Sequence, residues 1–484
     1  MGSGGRPERR CDPTSREGFG EWAEGLWRIA PFLDAGTLRF LRQILQPAAV
    51  VAGLGLAGKL TGFLAQIVVA ARFGTGLEKS AFDVAMVMPD FLFLFTGGTL
   101  AVVLVPVLTA LSLRDPHEAA RLATTAALLT LIGLTLAGLL IAGSAPFWVC
   151  RVFGPGLPPE GQEVAIRLLR ILWIGTVLFG LSGVLTAVLH TARRFAWPAL
   201  GSVLADAGPI LGALALAAPL GIVGLAWGVI LGAFLHNLSL LPGLRRWPWA
   251  WAVDLRHPGL RQAGRLLLLR GLIVALAYFQ IAWGYRLVGG MAPGAVAALA
   301  YAWRLMQVPQ TLISTSLATV LLPTLSAHAA RGDPEALRQD LVRTLRVAGG
   351  LSLLAGGALW FGGETLVRTM LARGAFGEAS VEAVGAALRM FAPGLLTYTI
   401  AELAARAFYA RHDFLRPLAA AAIGTAAYLG MAPLFAHALG PSGPALANSL
   451  AIGLEGLLLL RGLRRMRMAP PSPPLTRQIP PEIR

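Results

Sequence analysis

Charge is scarce in this chain. Only 14% of its 484 residues are Asp, Glu, Lys or Arg, while 56% are hydrophobic and the mean hydropathy is +0.66. Soluble domains carry about a quarter charged residues, so the composition points to a protein built into a membrane. Lysine is nearly absent: Lys59 and Lys79 are the only two, and the net charge of +16 rests on arginine. That excess does not mark a nucleic-acid binder, because the arginines fall in short clusters between apolar runs. Cysteine is limited to Cys11 and Cys150, which offer no metal or redox spacing. No cleavable leader is read, since the first apolar run starts near Gln46 behind an arginine-rich segment, and "MGSGGR" lacks the Ser or Thr of a myristoylation motif. Nor is there a nucleophile–base set, a phosphate-cradling glycine loop or a histidine ligand pattern. The expectation is a protein that is not an enzyme and holds no cofactor or metal. Its energy would come from Na+, H+ or the membrane potential.

What the chain has in abundance is apolar runs long enough to cross about 30 Å of hydrocarbon. Twelve are predicted, at 48–71, 82–112, 120–145, 163–189, 196–218, 221–243, 265–287, 294–328, 343–363, 382–408, 415–437 and 442–461. Alternate connections hold the arginines: Arg114 and Arg121, Arg193 and Arg194, Arg245 and Arg246, Arg331 and Arg338, Arg411 and Arg416. Both tails belong to that set, so the positive-inside rule places both termini in the cytoplasm. In the first tail, Trp22, Trp27, Phe32, Phe40 and Ile44 suit either an interfacial amphipathic helix or an unstructured basic segment. The last residues, "APPSPPLTRQIPPEIR", form a proline-rich tail.

The runs repeat. "VPVLTALSLRDPHEAARL" from Val105 parallels "LPTLSAHAARGDPEALRQDL" from Leu322, and Asp115-Pro116 matches Asp333-Pro334. "TARRFAWPALG" from Thr191 parallels "YARHDFLRPLA" from Tyr409. Six spans per copy is an even number, so both copies insert the same way up. The fold class expected is all-α: a polytopic membrane protein with 12 transmembrane helices in two six-helix lobes, related by a pseudo-two-fold along the membrane normal. The predicted segments are a cytoplasmic N-terminal stretch at 1–47, an N-lobe at 48–243, a linker at 244–264, a C-lobe at 265–464 and a tail at 465–484. Pro89 and Pro309 recur at equivalent places and read either as paired hinges or as a duplicated packing irregularity.

Four blocks carry a family resemblance: "FGTGLEKSAFDVAMVMPDFLFLFTGGTLAVVLVPVL", "RRFAWPALGSVLADAGPILGALALAAPLGIVGLAWGV", "LATVLLPTLSAHAARGD" and "RGAFGEASVEAVGAALRMFAPGLLTYTIAELAARAFYAR". They resemble the lipid II flippase (MurJ/MviN) family of the multidrug/oligosaccharidyl-lipid/polysaccharide exporter superfamily. The resemblance implies two lobes around a cationic cavity in the bacterial inner membrane. It also implies alternating access that moves a polyprenyl-pyrophosphate-linked peptidoglycan precursor to the outer leaflet. Partners would be that lipid-linked glycan, membrane lipids and cell-wall synthesis proteins, with no nucleic acid.

Matched residue by residue, Lys59 keeps a cation at the family's first arginine, while Ala65 and Gln66 stand where it has Arg-Asp. Ser80 replaces a family acid. In "AWRLMQVP", Arg304 survives, Trp303 replaces an Asp and Gln307 replaces an acid. The family also has two further C-terminal spans. These departures keep two alternatives open: a same-fold transporter for another lipid-linked glycan or a hydrophobic cation, and a non-transporting scaffold for cell-wall synthesis.

A charge at the bilayer centre costs about 2.5–3.5 kcal/mol on insertion scales, so such residues face a cavity or a partner. Lys59 and Arg304 are the candidate substrate-binding cations. Asp90, Asp206, Gln66, Gln307, Glu402 and Arg406 are candidates for the cavity or for ion coupling. The spacing of Glu402 and Arg406 also fits a plain intrahelical salt bridge. Arg270 and Arg286, near the ends of one span, can snorkel and are given no role.

Overall fold

The computed structural model describes residues 35–465 except 246, 250–252, 256 and 412, with side chains from residue 53, a few positions excepted. Trp22, Trp27 and Phe32 of the first tail, the side chains of Phe40 and Ile44, Cys11, the Arg270 side chain and the proline-rich tail lie outside the described residues. Everything described is helix, turn or loop; no strand occurs among the described residues. The helices are α1 (Ala35–Phe73), α2 (Leu77–Phe93), α3 (Thr99–Ser112), α4 (Pro116–Gly143), α5 (Pro159–Thr191), α6 (Ala196–Leu211) and α7 (Ile222–Leu244), followed by α8 (Pro258–Val288), α9 (Ala295–Gln310), α10 (Ser316–Arg331), α11 (Pro334–Leu371), α12 (Glu378–Tyr409), α13 (Leu415–Leu439) and α14 (Gly443–Arg465).

Among the described residues, ten helical runs are long and apolar enough to span a membrane. One of them, Leu415–Leu463, folds back at Gly440 into α13 and α14, which pack on each other. The pair α2 and α3 supplies another crossing, so the twelve expected spans are accommodated. Several helices outrun their apolar cores. Most informative is α2, which begins at Leu77 and not near residue 82, because Lys79 and Ser80 are buried instead of lying in a loop.

The internal repeat is visible as repeated chemistry. Asp115 caps α4 by accepting the His117 N–H at 2.8 Å, and Asp333 caps α11 by accepting the Ala336 N–H at 2.9 Å. Each is followed by proline at the first helical position, where its missing N–H costs nothing. The paired prolines Pro89 and Pro309 lie inside α2 and α9. Each is followed within one or two turns by a wider π-type turn, Leu94–Gly98 and Thr311–Thr315. A proline donates no N–H to the ladder, and the chain takes up the slack in such a turn.

Packing divides the helices into two sets. Helices α1 to α7 touch mainly one another, as do α9 to α14. Close approach in the first set is bought by small residues: a Cβ on Gly208 of α6 would lie 2.4 Å from the Gly228 carbonyl oxygen of α7. Helix α8 is shared. Its early part lies against the first set, where Gly271 meets the Phe95 ring, and its later part reaches α13, where Gln280 donates to Thr425 Oγ1 at 2.8 Å.

The hydrophobic cores decide the shape. One cluster, with Val69, Phe82, Leu168, Tyr301, Phe376 and Leu388, draws on both sets. Separate clusters hold the other ends of the helices, around Leu104, Leu122 and Leu189 in the first set and around Leu325, Leu337 and Leu403 in the second. The two sets are joined at one end and have independent cores at the other. The joined end is a seam of backbone contacts. The Ala375 N–H donates to the Ala71 carbonyl at 2.8 Å, and Thr75 and Ser380 share a hydroxyl hydrogen bond at 2.8 Å. Arg286, expected only to snorkel, donates to the Arg151 carbonyl oxygen across the same seam.

Candidate functional site

Helix α9 explains the arginine in "AYAWRLMQVP". From this helix of the second set, Arg304 reaches into the first. One guanidinium nitrogen donates to Gln66 Oε1 on α1 at 3.0 Å, and the other meets Asp83 Oδ1 on α2 at 3.3 Å. Asp83 also pairs with Lys79, one turn earlier on α2. The far side of the Lys79 ammonium lies over the Tyr301 ring, 4.6 Å from its centroid. Lys79 and Asp83 have side-chain exposures of 0% and 1%, whereas Arg304 keeps 28%. Burying each ion costs several kcal/mol, and the cost is offset only when every charge has a partner in good geometry. Here one carboxylate serves two cations, and an aromatic face serves the more deeply buried of them.

Beside this cluster lies a cavity of about 430 Å3. Its polar lining includes Gln66, Asp90, Thr176, Asp206, His236 and Arg304, and Phe93 and Phe179 are among its apolar walls. Among the described lining residues, Arg304 alone comes from the second set of helices. The His236 ring meets Phe179 edge-on, and neither ring nitrogen makes a hydrogen bond among the described residues. Asp206 on α6 packs against Gly62 of α1, where a Cβ would come within 2.9 Å of its Oδ2.

The expected site residues separate into two groups. Arg304, Gln66, Asp90, Asp206 and Pro89 line one cavity. Lys59, expected beside Arg304 as the cation of the other lobe, is exposed on α1 and is not among the lining residues. It shares a helix face with Gly62 and Gln66, about 10 Å along the axis from Gln66 at 1.5 Å per residue. Gln307 is exposed and Pro309 half-buried, both outside that lining. Glu402 and Arg406 form the intrahelical salt bridge that their spacing allows, at 3.2 Å, with Thr315 Oγ1 3.4 Å from the same carboxylate. Trp303 turns away from the arginine cluster and packs on the rings of Phe391 and Tyr398.

Sequence reasoning missed Lys79, Asp83, Thr176 and His236. The Lys79–Asp83 spacing of four was the available signal, hidden because both were read as lying at or before the start of the span. The acid absent at position 80 is supplied one turn later: Ser80 Oγ accepts the Ala297 N–H at 3.3 Å, and Asp83 meets the arginine. No cluster of three or more metal-ligating side chains occurs among the described residues.

Comparison with known proteins agrees with this architecture. The family pattern described as "Lipid II flippase MurJ" matches residues 69–473. The chain is 30% identical over 436 residues to the "Lipid II flippase MurJ" of Burkholderia cenocepacia, covering 87% of this chain and 84% of that one. It is 27% identical over 445 residues to the "Probable lipid II flippase MurJ" of Vibrio cholerae, covering 87% and 83%. Among solved structures, "Lipid II flippase MurJ, inward closed conformation" superposes with a TM-score of 0.75 at 21% identity, over 86% of this chain and 87% of that one. An inward-facing multidrug transporter of the MATE family superposes with a TM-score of 0.72 at 17% identity, over 86% and 97%. The helical fold is therefore one these transporters share, and the chain is a multi-pass protein of the inner membrane. By the span of the family match and the extent of its likeness to curated relatives, this chain belongs to the lipid II flippase MurJ family, a family of transporters and not of enzymes.

Proposed function

We propose that this chain carries lipid II, the lipid-linked peptidoglycan precursor, from the inner to the outer leaflet by alternating access. The observation that carries the reading is Arg304: a partly exposed guanidinium from one half of the molecule, facing a cavity in the other half. A guanidinium fork suits a pyrophosphate because it offers parallel N–H donors to two oxygens. With the arginine-rich connections and both termini in the cytoplasm, the seam at Thr75 and Ser380 becomes the outer side. The ends with separate cores then face inward. Lys59, exposed on the same face of α1 as Gln66, is a second cation on the route toward Arg304. Pro89 and Pro309, each ahead of a wider turn, are the places where α2 and α9 bend as the halves rock.

The test is complementation of a flippase-depleted bacterium, with labelling of lipid II in the outer leaflet. The native chain should restore labelling and Arg304→Ala should not. Full labelling by Arg304→Ala removes the assigned role.

One observation favours a second cargo. Among the described lining residues, the cavity holds a single cation, Arg304, against two acids, Asp90 and Asp206. A clamp for pyrophosphate alone would carry more positive charge, so a hydrophobic cation or a differently charged lipid-linked glycan is the competing substrate. Asp90 and Asp206 are also the acids through which a proton or cation gradient could drive either cycle. Transport of a lipophilic cation that persists when lipid II labelling is nil would select the second cargo.

A further inference from the structure

Asp83 is the charge that joins the two halves. It lies on α2, and Arg304 reaches it from α9. Around it, the same seam buries the Lys79 ammonium against Tyr301 of α9 and the Ser80 hydroxyl against the Ala297 backbone. The exposure of the two partners is unequal. Asp83 is sealed at 1%, while 28% of the Arg304 side chain stays open, and Arg304 also lines the cavity. An anion entering the cavity therefore meets the guanidinium and not the carboxylate, and it competes with Asp83 for the same donors. Lys79 shows what happens next. When Arg304 leaves, Asp83 is not orphaned, because Lys79 sits one turn away on its own helix and leaves a neutral pair behind. Without Lys79, losing Arg304 would strand a buried carboxylate, which is strongly unfavourable.

We propose that Asp83 is a positioning residue: it holds Arg304 at the cavity while the seam is closed, and the pyrophosphate of the cargo opens the seam by taking Arg304 from it. The inference rests on the transport reading above and adds how cargo is coupled to opening. A ligand shifts a conformational equilibrium only by binding one state better than the other. Here the difference is a guanidinium freed from its internal carboxylate.

The arrangement gives two variants opposite signs. Asp83→Asn removes the hold on Arg304 and should open the seam. Lys79→Met leaves the Asp83–Arg304 pair intact but makes its separation costly, so it should keep the seam shut. A purely structural role would make both variants loosen the seam.

The experiment uses full-length protein in lipid nanodiscs with Cys11→Ser and Cys150→Ser, and Ser380→Cys as reporter. Ser380 is 7% exposed and bonded to Thr75 across the seam. The readout is the rate of labelling by a membrane-impermeant maleimide, with geranylgeranyl pyrophosphate as the probe and geranylgeraniol as the uncharged control. In the parent, the pyrophosphate should speed labelling by at least about fivefold, the lower end of ordinary allosteric coupling, and the alcohol should not. Asp83→Asn should label fast without ligand and respond to neither lipid. Lys79→Met should label more slowly than the parent.

Parental rates in Asp83→Asn, acceleration in Lys79→Met, or no response of the parent to the pyrophosphate each overturn the proposal. Should Asp83→Asn fail to fold, the sign of the Lys79→Met change decides alone. The labelling needs no lipid II. If these rates behave as stated while cells translocate none, the cargo reading fails and the handover stands. Intact translocation with unresponsive rates removes the handover alone.

Discussion

Gly294 meets Thr75 so closely across the seam that a Cβ on Gly294 would stand 2.0 Å from the Thr75 carbonyl oxygen. Gly294 also has φ of +79°, a left-handed conformation that costs an L-residue about 1–2 kcal/mol. Strain and clash act together, and the obstructing atom is backbone that cannot step aside. Gly294→Ala should therefore weaken the seam. A disulfide between Thr75→Cys and Ser380→Cys, whose native hydroxyls are 2.8 Å apart, reports it. Cross-linking should be near complete in the parent and several-fold lower in Gly294→Ala. Equal yields would mean that this contact does not hold the halves together.

The two cations of the expected site should not behave alike. Arg304 binds Gln66 and Asp83 with separate nitrogens, a geometry that a lysine ammonium cannot reproduce. Arg304→Lys is expected to lower lipid II labelling in complemented cells by about tenfold, equivalent to about 1.4 kcal/mol. Lys59 is exposed and lies outside the cavity lining. Lys59→Gln should cost less than about threefold, under 1 kcal/mol by the same conversion. A reversed order would move the binding site out of the cavity and toward the exposed face of α1.

Buried and half-buried polar groups of α8, α12, α13 and α14 form a continuous chain. Tyr398 donates to Asn448 Oδ1 at 2.8 Å, Asn448 donates to Gln280 Oε1 at 2.9 Å, and Gln280 donates to Thr425. Asn448→Leu breaks it in the middle and leaves two groups unsatisfied. The cost should be about 1–2 kcal/mol, typical of interhelical hydrogen bonds in membranes, read as a lower thermal unfolding midpoint in detergent. Adding Gln280→Leu should cost less than it does alone, because its partner has already gone. Strict additivity would show that the chain is not a coupled unit.

The caps of α4 and α11 lie far apart in sequence and share no partner. Asp115→Ala and Asp333→Ala should each destabilise by about 1 kcal/mol and should add in the double variant. The same detergent melts measure this, and a strongly sub-additive result would show that the two halves unfold as separate units.

Much of the architecture was legible before any coordinates. Apolar runs have to become helices in lipid, because no water is there to satisfy an open backbone. Arginine clusters alternate along the chain, and Asp-Pro pairs recur at matching places, so the duplicated plan could be read locally. Arg304, Asp90, Asp206 and Gln66 were legible as candidates for a similar reason: a polar side chain amid apolar neighbours needs a cavity or a partner. Asp83 and Lys79 escaped notice because hydropathy could not tell a buried charged turn of helix from the loop that precedes it.

Composition and periodicity by themselves determined that this protein is helical, membrane-embedded and built twice from one plan, since those properties follow from each segment's own contact with lipid and water. Which charges meet was decided only by the tertiary structure. Arg304 and Asp83 are separated by more than two hundred residues, and Lys59 and Arg304 carry the same signal in sequence. The packing of α1, α2 and α9 at the seam puts one guanidinium beside a sealed carboxylate and leaves the lysine exposed. A linear pattern records how polar a residue is; only the folded helices set the distance between two charges, and their attraction depends on that distance.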